Sequence, residues 1–267
     1  MLIGADGING LVRSFKYSRD EDRPLNYLGM LVVLGITGDI EHFLMHDRVF
    51  QTMDEAFRLF AMPFPKCRED QSIMWQLSFP CSIELANQLS RDQQMLKDFI
   101  LNQCHDWHQP IPQIIQKTQL DLIMGIPAFD RDLIFSKDSS SQDSLPIALI
   151  GDAAHPMSPF KGQGANQALL DALDFTEILK RNSAKDLYSS INEYEHRMLN
   201  RVESKVMQSR ERVTTFHRPE ALSTDNFLYR GVNQQLIDHL NSLEMNALWK
   251  DSSLSIEQAI SNVLTKR

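Results

Sequence analysis

The stretch GDAAHPMSPFKGQGANQALLDA, residues 151–172, sets three glycines, two prolines and an acid at its head between an all-apolar run, Ile147–Ile150, and a helical pattern. A short apolar run of this kind reads as a strand of a parallel sheet, buried on both faces. Asp152 then falls at the carboxyl end of that strand, where α/β sheets bind ligands. A carboxylate there can accept hydrogen bonds from the hydroxyls of a sugar-like chain. Pro156 and Pro159 stiffen the loop. Gly162 and Gly164 let the backbone approach a ligand with no Cβ in the way. Ala165 and Asn166 open a helix whose free N–H groups and positive dipole end favour negative charge. The chemistry offered is the holding of a polar, electron-rich group. An ordinary glycine-containing strand-to-helix loop is the alternative, but the whole run G-D-A-A-H-P-x-x-P-x-x-G-Q-G-A-N is far more specific than a lone GQG.

A second stretch, LIGADGINGLVR at residues 2–13, reads as the end of a buried strand, a turn at Asp6-Gly7 and a short helix from Ile8 to Phe15. Alone it is also compatible with a plain strand-to-helix turn. His155 is expected to pack the turn rather than act as an acid or base. His42 and His46 lie on an expected strand and are read as ordinary surface or core positions. Met53, Met62, Met74 and Trp75 suit an apolar pocket and core packing equally well. No side-chain nucleophile or other catalytic residue stands out. The cysteines Cys67, Cys81 and Cys104 form no CxxC pair, so neither a metal site nor a disulfide framework is expected.

Residues 29–80 pattern as an antiparallel sheet: Gly29–Ile36, a turn at Gly38-Asp39, His42–Thr52, Ala56–Met62 and Ile73–Phe79, which Pro80 ends. Ser90 with Gln93 resembles a capping box that opens a helix carrying Leu96, Phe99, Ile100 and Cys104. Pro110 and Pro112 break it. Thr118–Ile126 reads as a strand and 136–144 as a polar loop. After the glycine turn, Leu169, Ala172, Leu173, Ile178 and Leu179 are expected on one buried helix face. A long helix over Leu187–Phe216 should turn Tyr188, Ile191, Tyr194, Met198, Val202 and Val206 inward, and Pro219 ends it.

The 267 residues carry a net charge of −8 with 42% apolar content, enough for a sizeable core and contrary to the basic face that nucleic acid needs. No run is long enough to span a membrane and no signal peptide is evident, so a reducing, cytoplasmic setting is expected.

The two motifs together resemble those of the FAD-dependent class A flavoprotein monooxygenases of the p-hydroxybenzoate hydroxylase fold, tetracycline-inactivating enzymes among them. GDAAHPMSPFKGQGANQALLDA is similar to that family's second flavin motif and LIGADGINGLVR to its DG motif, in the family's order, over residues 1 to about 217. The resemblance implies a mixed α/β fold. A partial, Rossmann-like FAD-binding domain would comprise residues 1–27 and 131–217, an antiparallel-sheet substrate domain 28–130, and a C-terminal helical tail 218–267. It implies FAD as cofactor, with Gly151 and Asp152 as the GD pair and Asp152 on the ribityl chain. Pro159 would lie near the reactive edge of the ring. Gly162, Gly164, Ala165 and Asn166 would face the flavin, the last three with backbone amides toward its N1–C2=O edge. Asp6, Gly7 and Arg13 would lie near the pyrophosphate. The implied reaction is insertion of one oxygen atom into a small aromatic or polycyclic apolar substrate, with NADH or NADPH as reductant.

The family's N-terminal G-x-G-x-x-G unit, which holds the ADP half of FAD, has no counterpart here. The resemblance therefore covers the C-terminal two-thirds of such an enzyme. The accompanying expectation is that this chain alone binds FAD weakly or not at all. The alternative to an active enzyme is a non-catalytic remnant.

Overall fold

The computed structural model describes residues 1–17, 23–38, 40, 42, 49–64, 72–134, 145–182 and 186–222. It is a mixed α/β fold whose chain divides into two compact units. One comprises Met1–Gly29 and Pro127–Thr214; the other comprises Met30–Ile126 and the described residues from Thr215 onward.

The first unit is built on two short parallel strands, β1 (Leu2–Gly4) and β7 (Ile147–Leu149), in the register Leu2↔Ile147 to Gly4↔Leu149. The all-apolar β7 is buried throughout, as a strand covered on both faces must be. Leu2 and Ile3 correct the expectation of a buried strand: they are 44% and 43% exposed. Among the described residues β1 has one strand neighbour, so one edge and the adjacent side chains face solvent. A one-turn helix, α1 (Val12–Lys16), follows β1. Helices α5 (Gly164–Asn182) and α6 (Leu187–Thr215) supply the rest of the core. Phe175 and Ile178 of α5 meet Ile191, Tyr194, Met198 and Val202 of α6 around Ala148. The inward positions read for α6 hold from Ile191 to Val206, while Tyr188 is half-buried.

The α5 face is rotated from the expected one. Leu169 and Leu173 are 71% and 53% exposed, and the buried stripe is Gln167, Asp171, Phe175 and Ile178. Both stripes have helical spacing. The polar one is inward because Gln167 and Asp171 find charged and N–H partners there, described below.

The second unit holds most of a five-stranded sheet in the order β3-β4-β5-β2-β6, formed by β2 (Leu25–Thr37), β3 (Phe50–Met53), β4 (Arg58–Pro63), β5 (Ile73–Pro80) and β6 (Ile123–Arg131); the first residues of β2, to Gly29, and the last of β6, from Pro127, count with the first unit. The β2/β5, β3/β4 and β4/β5 pairs are antiparallel. Helices α2 (Ile83–Arg91), α3 (Gln93–Cys104) and α4 (Ile111–Lys117) complete it. Alternate residues of β5 (Ile73, Trp75, Leu77, Phe79) are buried, the period-2 signature of a sheet face against a core. Ser90 does not cap a helix. It lies inside α2, and Asp92 caps α3 by accepting from the Met95 N–H. Two helices meet where one start was expected. His46, Asp39 and 136–144 lie outside the described residues, as does 223–267 of the expected tail. No helix among the described residues is long and apolar enough to cross a membrane.

Candidate functional site

Parallel pairing of β1 with β7 is what assembles the site. The Ile150 N–H continues the ladder to the Gly4 carbonyl at 2.9 Å, so the chain leaves both strands at the same edge of the sheet. The turn at Asp6-Gly7 and the turn at Gly151–Ala153 therefore begin side by side, as ligand sites of parallel sheets do.

Gly151 sits at φ +60 under α5, and a Cβ there would lie 3.1 Å from the Ala168 Cβ. The turn needs glycine both for its backbone and for this close approach. Asp152 projects outward and is exposed. Partial desolvation by the turn raises its carboxyl above the ordinary aspartate range, against a smaller lowering by His155. Pro156 is buried and Pro159 exposed. The loop between them is tied to α6 where the Ser158 hydroxyl donates to the Ser209 carbonyl at 2.7 Å. Gly162, again at φ +60, ends a short 3-10 turn, and nothing lies within 4 Å of where its Cβ would project. Gly164 is the first residue of α5; Ala165 and Asn166 are exposed on its first turn. That turn contains no acidic residue of its own, so none of its side chains neutralises the free N–H groups and positive end.

The DG side is organised differently. The Asp6 carboxylate accepts the Val12 N–H at 3.0 Å, which closes the start of α1. Gly7 stands open. Arg13 is 5% exposed, and its Nη1 donates to the carbonyls of Ala153 and Ala154, each at 3.2 Å. It braces the GD turn from behind. Lys16 donates to the Ile147 carbonyl at 2.7 Å and pairs with Glu195.

The residues fit a flavin with its sugar-alcohol tail. An exposed carboxylate stands beside an open helix start, and a Cβ on Gly164 would fall 3.8 Å from Asp152 Oδ1 and narrow that gap. Asp152, Pro159, Gly162, Ala165 and Asn166 are accessible, Gly164 partly so, and Gly151 is buried beneath them. His155 is fully buried. Of the pocket candidates, Trp75 is a core residue and Met53, Met62 and Met74 are half-buried in the second unit, as is His42. Among the described residues no acidic, histidine or cysteine cluster could hold a metal ion.

Sequence reasoning missed Asp171, Gln167 and Arg201. Asp171 is 0% exposed and accepts from Gly151, His155 and Arg201; Arg201 also donates to Gln167 at 2.7 Å. The one local signal was Gln167 and Asp171 sharing a helix face with Phe175 and Ile178.

Residues 136–209 match the FAD binding domain family. Over 248 residues the chain is 24% identical to a monooxygenase, cfoF, of Aspergillus candidus, covering 91% of this chain and 56% of that protein. It is 28% identical over 179 residues to the aurachin C monooxygenase/isomerase of Stigmatella aurantiaca, covering 67% of this chain and 42% of that one. The chain thus spans about half the length of the curated relatives it matches. Among solved structures, an HpxO variant of Klebsiella pneumoniae complexed with FAD superposes with a TM-score of 0.70 at 20% identity, over 91% of this chain and 60% of that one.

Proposed function

We propose, from the premise that this chain is a relative of the FAD-dependent class A flavin monooxygenases, that residues 151–166 hold the ribityl chain and pyrimidine edge of FAD. The reaction served is insertion of one oxygen atom into a small aromatic or polycyclic apolar substrate. FAD, when bound, supplies the redox chemistry, with NADH or NADPH as electron source and dioxygen as oxygen source. The protein's part is to hold, orient and stabilise charge. Asp152 accepts hydrogen bonds from ribityl hydroxyls. The amides of Gly164, Ala165 and Asn166, at the positive end of α5, stabilise negative charge on the pyrimidine edge. Gly162 leaves room for close approach, and Pro159 stiffens the loop beside the ring. Asp6 and Gly7 shape the neighbouring turn on the pyrophosphate side, and Arg13 supports the GD turn.

The observation that carries this reading is the open, acid-free start of α5 facing the exposed Asp152 carboxylate. Its test is a fluorescence titration of FAD with the 267-residue chain and with Asp152→Ala. Weak but saturable binding is expected, about tenfold weaker still in the variant, as the loss of roughly 1.4 kcal/mol of charge-assisted hydrogen bonding predicts. Equal affinities would sink the assignment. The second reading, a non-catalytic chain with weak or no FAD binding of its own, is favoured by the single strand neighbour of β1 among the described residues. Absence of any saturable binding would select it.

The raised Asp152 carboxyl adds a pH prediction. Hydroxyl donors need the carboxylate, so affinity is full above the pKa of Asp152 in the free protein and falls as pH drops below it. Because burial raises that pKa, the fall begins at a higher pH than for an ordinary aspartate. Dissociation constants measured across the acid range should show this bend in the wild type and lose it in Asp152→Asn.

A further inference from the structure

We propose that Asp171 is the positioning residue of the flavin-facing turn: its buried carboxylate grips Gly151 and His155, the two ends of the turn that carries Asp152. The proposal rests on the reading of 151–166 as a flavin site.

One oxygen of Asp171, Oδ2, accepts both the Gly151 N–H and His155 Nε2, each at 2.7 Å. The other, Oδ1, accepts Arg201 Nη2 at 2.8 Å. The three donors come from the start of the turn, its end, and α6. Asp171 itself lies on α5, two helical turns beyond Gly164. A single carboxylate thus registers the Asp152 turn against the helix whose start that aspartate faces. The His155 N–H closes the turn on the Gly151 carbonyl at 3.0 Å, so the gripped segment is one hydrogen-bonded unit.

His155 depends on Asp171 in particular. The ring is fully buried, and its Nδ1 has no hydrogen-bond partner among the described residues. An ionised carboxylate can only accept, so the proton lies on Nε2. That one bond sets both tautomer and ring orientation. Burial works against charge on Asp171. The hydrogen bonds from His155, the Gly151 N–H and Arg201 outweigh it, leaving the carboxyl below the usual aspartate range. Gln167 and Asp174 hold Arg201 in place, Asp174 at 3.2 Å from Nη2, yet neither has a hydrogen bond to the turn.

Asp171→Asn preserves shape but brings a donor against a donor. Whichever way the amide turns, its NH2 meets either Arg201 or the Gly151 N–H. Asp174→Asn removes a carboxylate from the same arginine without touching the turn. Amide hydrogen exchange on the FAD-free chain and FAD titration read the two variants. In the wild type, the Gly151 amide should be as protected as the amides in the middle of α5. In D171N its exchange should rise at least tenfold while mid-α5 amides hold, and FAD affinity should fall about tenfold. D174N should change neither. An unprotected Gly151 amide in the wild type, or exchange rising equally along α5 in D171N, overturns the proposal. So does an unchanged FAD affinity in D171N when Asp152→Ala weakens binding. If both variants bind FAD as the wild type does, the flavin reading falls and exchange alone judges the grip. Should D171N not fold, nitrogen-15 spectra of wild-type His155 decide: a proton on Nε2 is required, and one on Nδ1 alone refutes the arrangement.

Discussion

Trp75→Ala is expected to destabilise the sheet unit by about 3–5 kcal/mol, the cost of truncating a fully buried aromatic side chain that leaves a cavity. Trp75, the third residue of β5, is 0% exposed. Its cross-strand neighbour in the β2/β5 register is Gly35, and a Cβ on that glycine would lie 2.2 Å from the indole Cε2. The ring thus occupies the space a side chain at position 35 would take. With only hydrogen there, position 35 supplies no side chain to relax into the vacated volume, which places the cost toward the upper end of the range. The indole N–H also donates to the Thr118 hydroxyl at 3.0 Å, which in turn donates to the Ile114 carbonyl at 2.7 Å. Truncation removes the indole donor from a buried hydroxyl as well as apolar contact. Thermal and urea unfolding should show a lowered midpoint, roughly 20 °C for a unit of this size. A loss below about 1 kcal/mol would mean the sheet collapses around the gap and the packing argument is wrong.

Arg13→Ala should have the next largest effect, about 1.5–3 kcal/mol, because two carbonyls of the GD turn lose a charged donor in a buried setting. The guanidinium bridges Ala153 and Ala154 from a position 140 residues earlier in the chain and lies 5.0 Å over the Tyr17 ring. Sequence resemblance implied a place for Arg13 near the pyrophosphate of FAD. Its Nη1 here donates to the neighbouring turn. The variant should therefore unfold earlier, and its Ala154 and His155 amides should exchange faster than those of α5. A variant as stable as the wild type, with turn protection intact, would show that the GD turn stands without the DG motif behind it.

Much of the site was legible because its signals are local. Glycines at 151 and 162 stand where the backbone takes φ +60, and the all-apolar Ile147–Leu149 is the buried strand its composition indicated. The α6 stripe from Ile191 to Val206 was readable from spacing alone, since one stripe there is clearly the more apolar. α5 was not. Leu169 and Leu173 formed as good a helical stripe as Gln167 and Asp171, and local periodicity cannot choose between two such faces. What chose was a charge on another helix: Arg201 and the Gly151 N–H make burial of two polar side chains favourable. The one-helix reading at Ser90 failed for a related reason, since Ser90 and Asp92 are both competent caps and only the geometry of two consecutive helices assigns the role to Asp92.

The amino-acid sequence by itself determined the turns, the proline-stiffened loop and the open helix start, because backbone preference and capping are properties of a few adjacent residues. Only the tertiary structure decided that Asp6 and Asp152 leave neighbouring parallel strands at one sheet edge, that Arg13 braces the second turn rather than standing free, and that Asp171 faces inward. Those outcomes depend on partners 20 to 140 residues away. Such partners meet only when burial of apolar surface outweighs the entropy of closing the intervening chain, and no local pattern records which of them will meet.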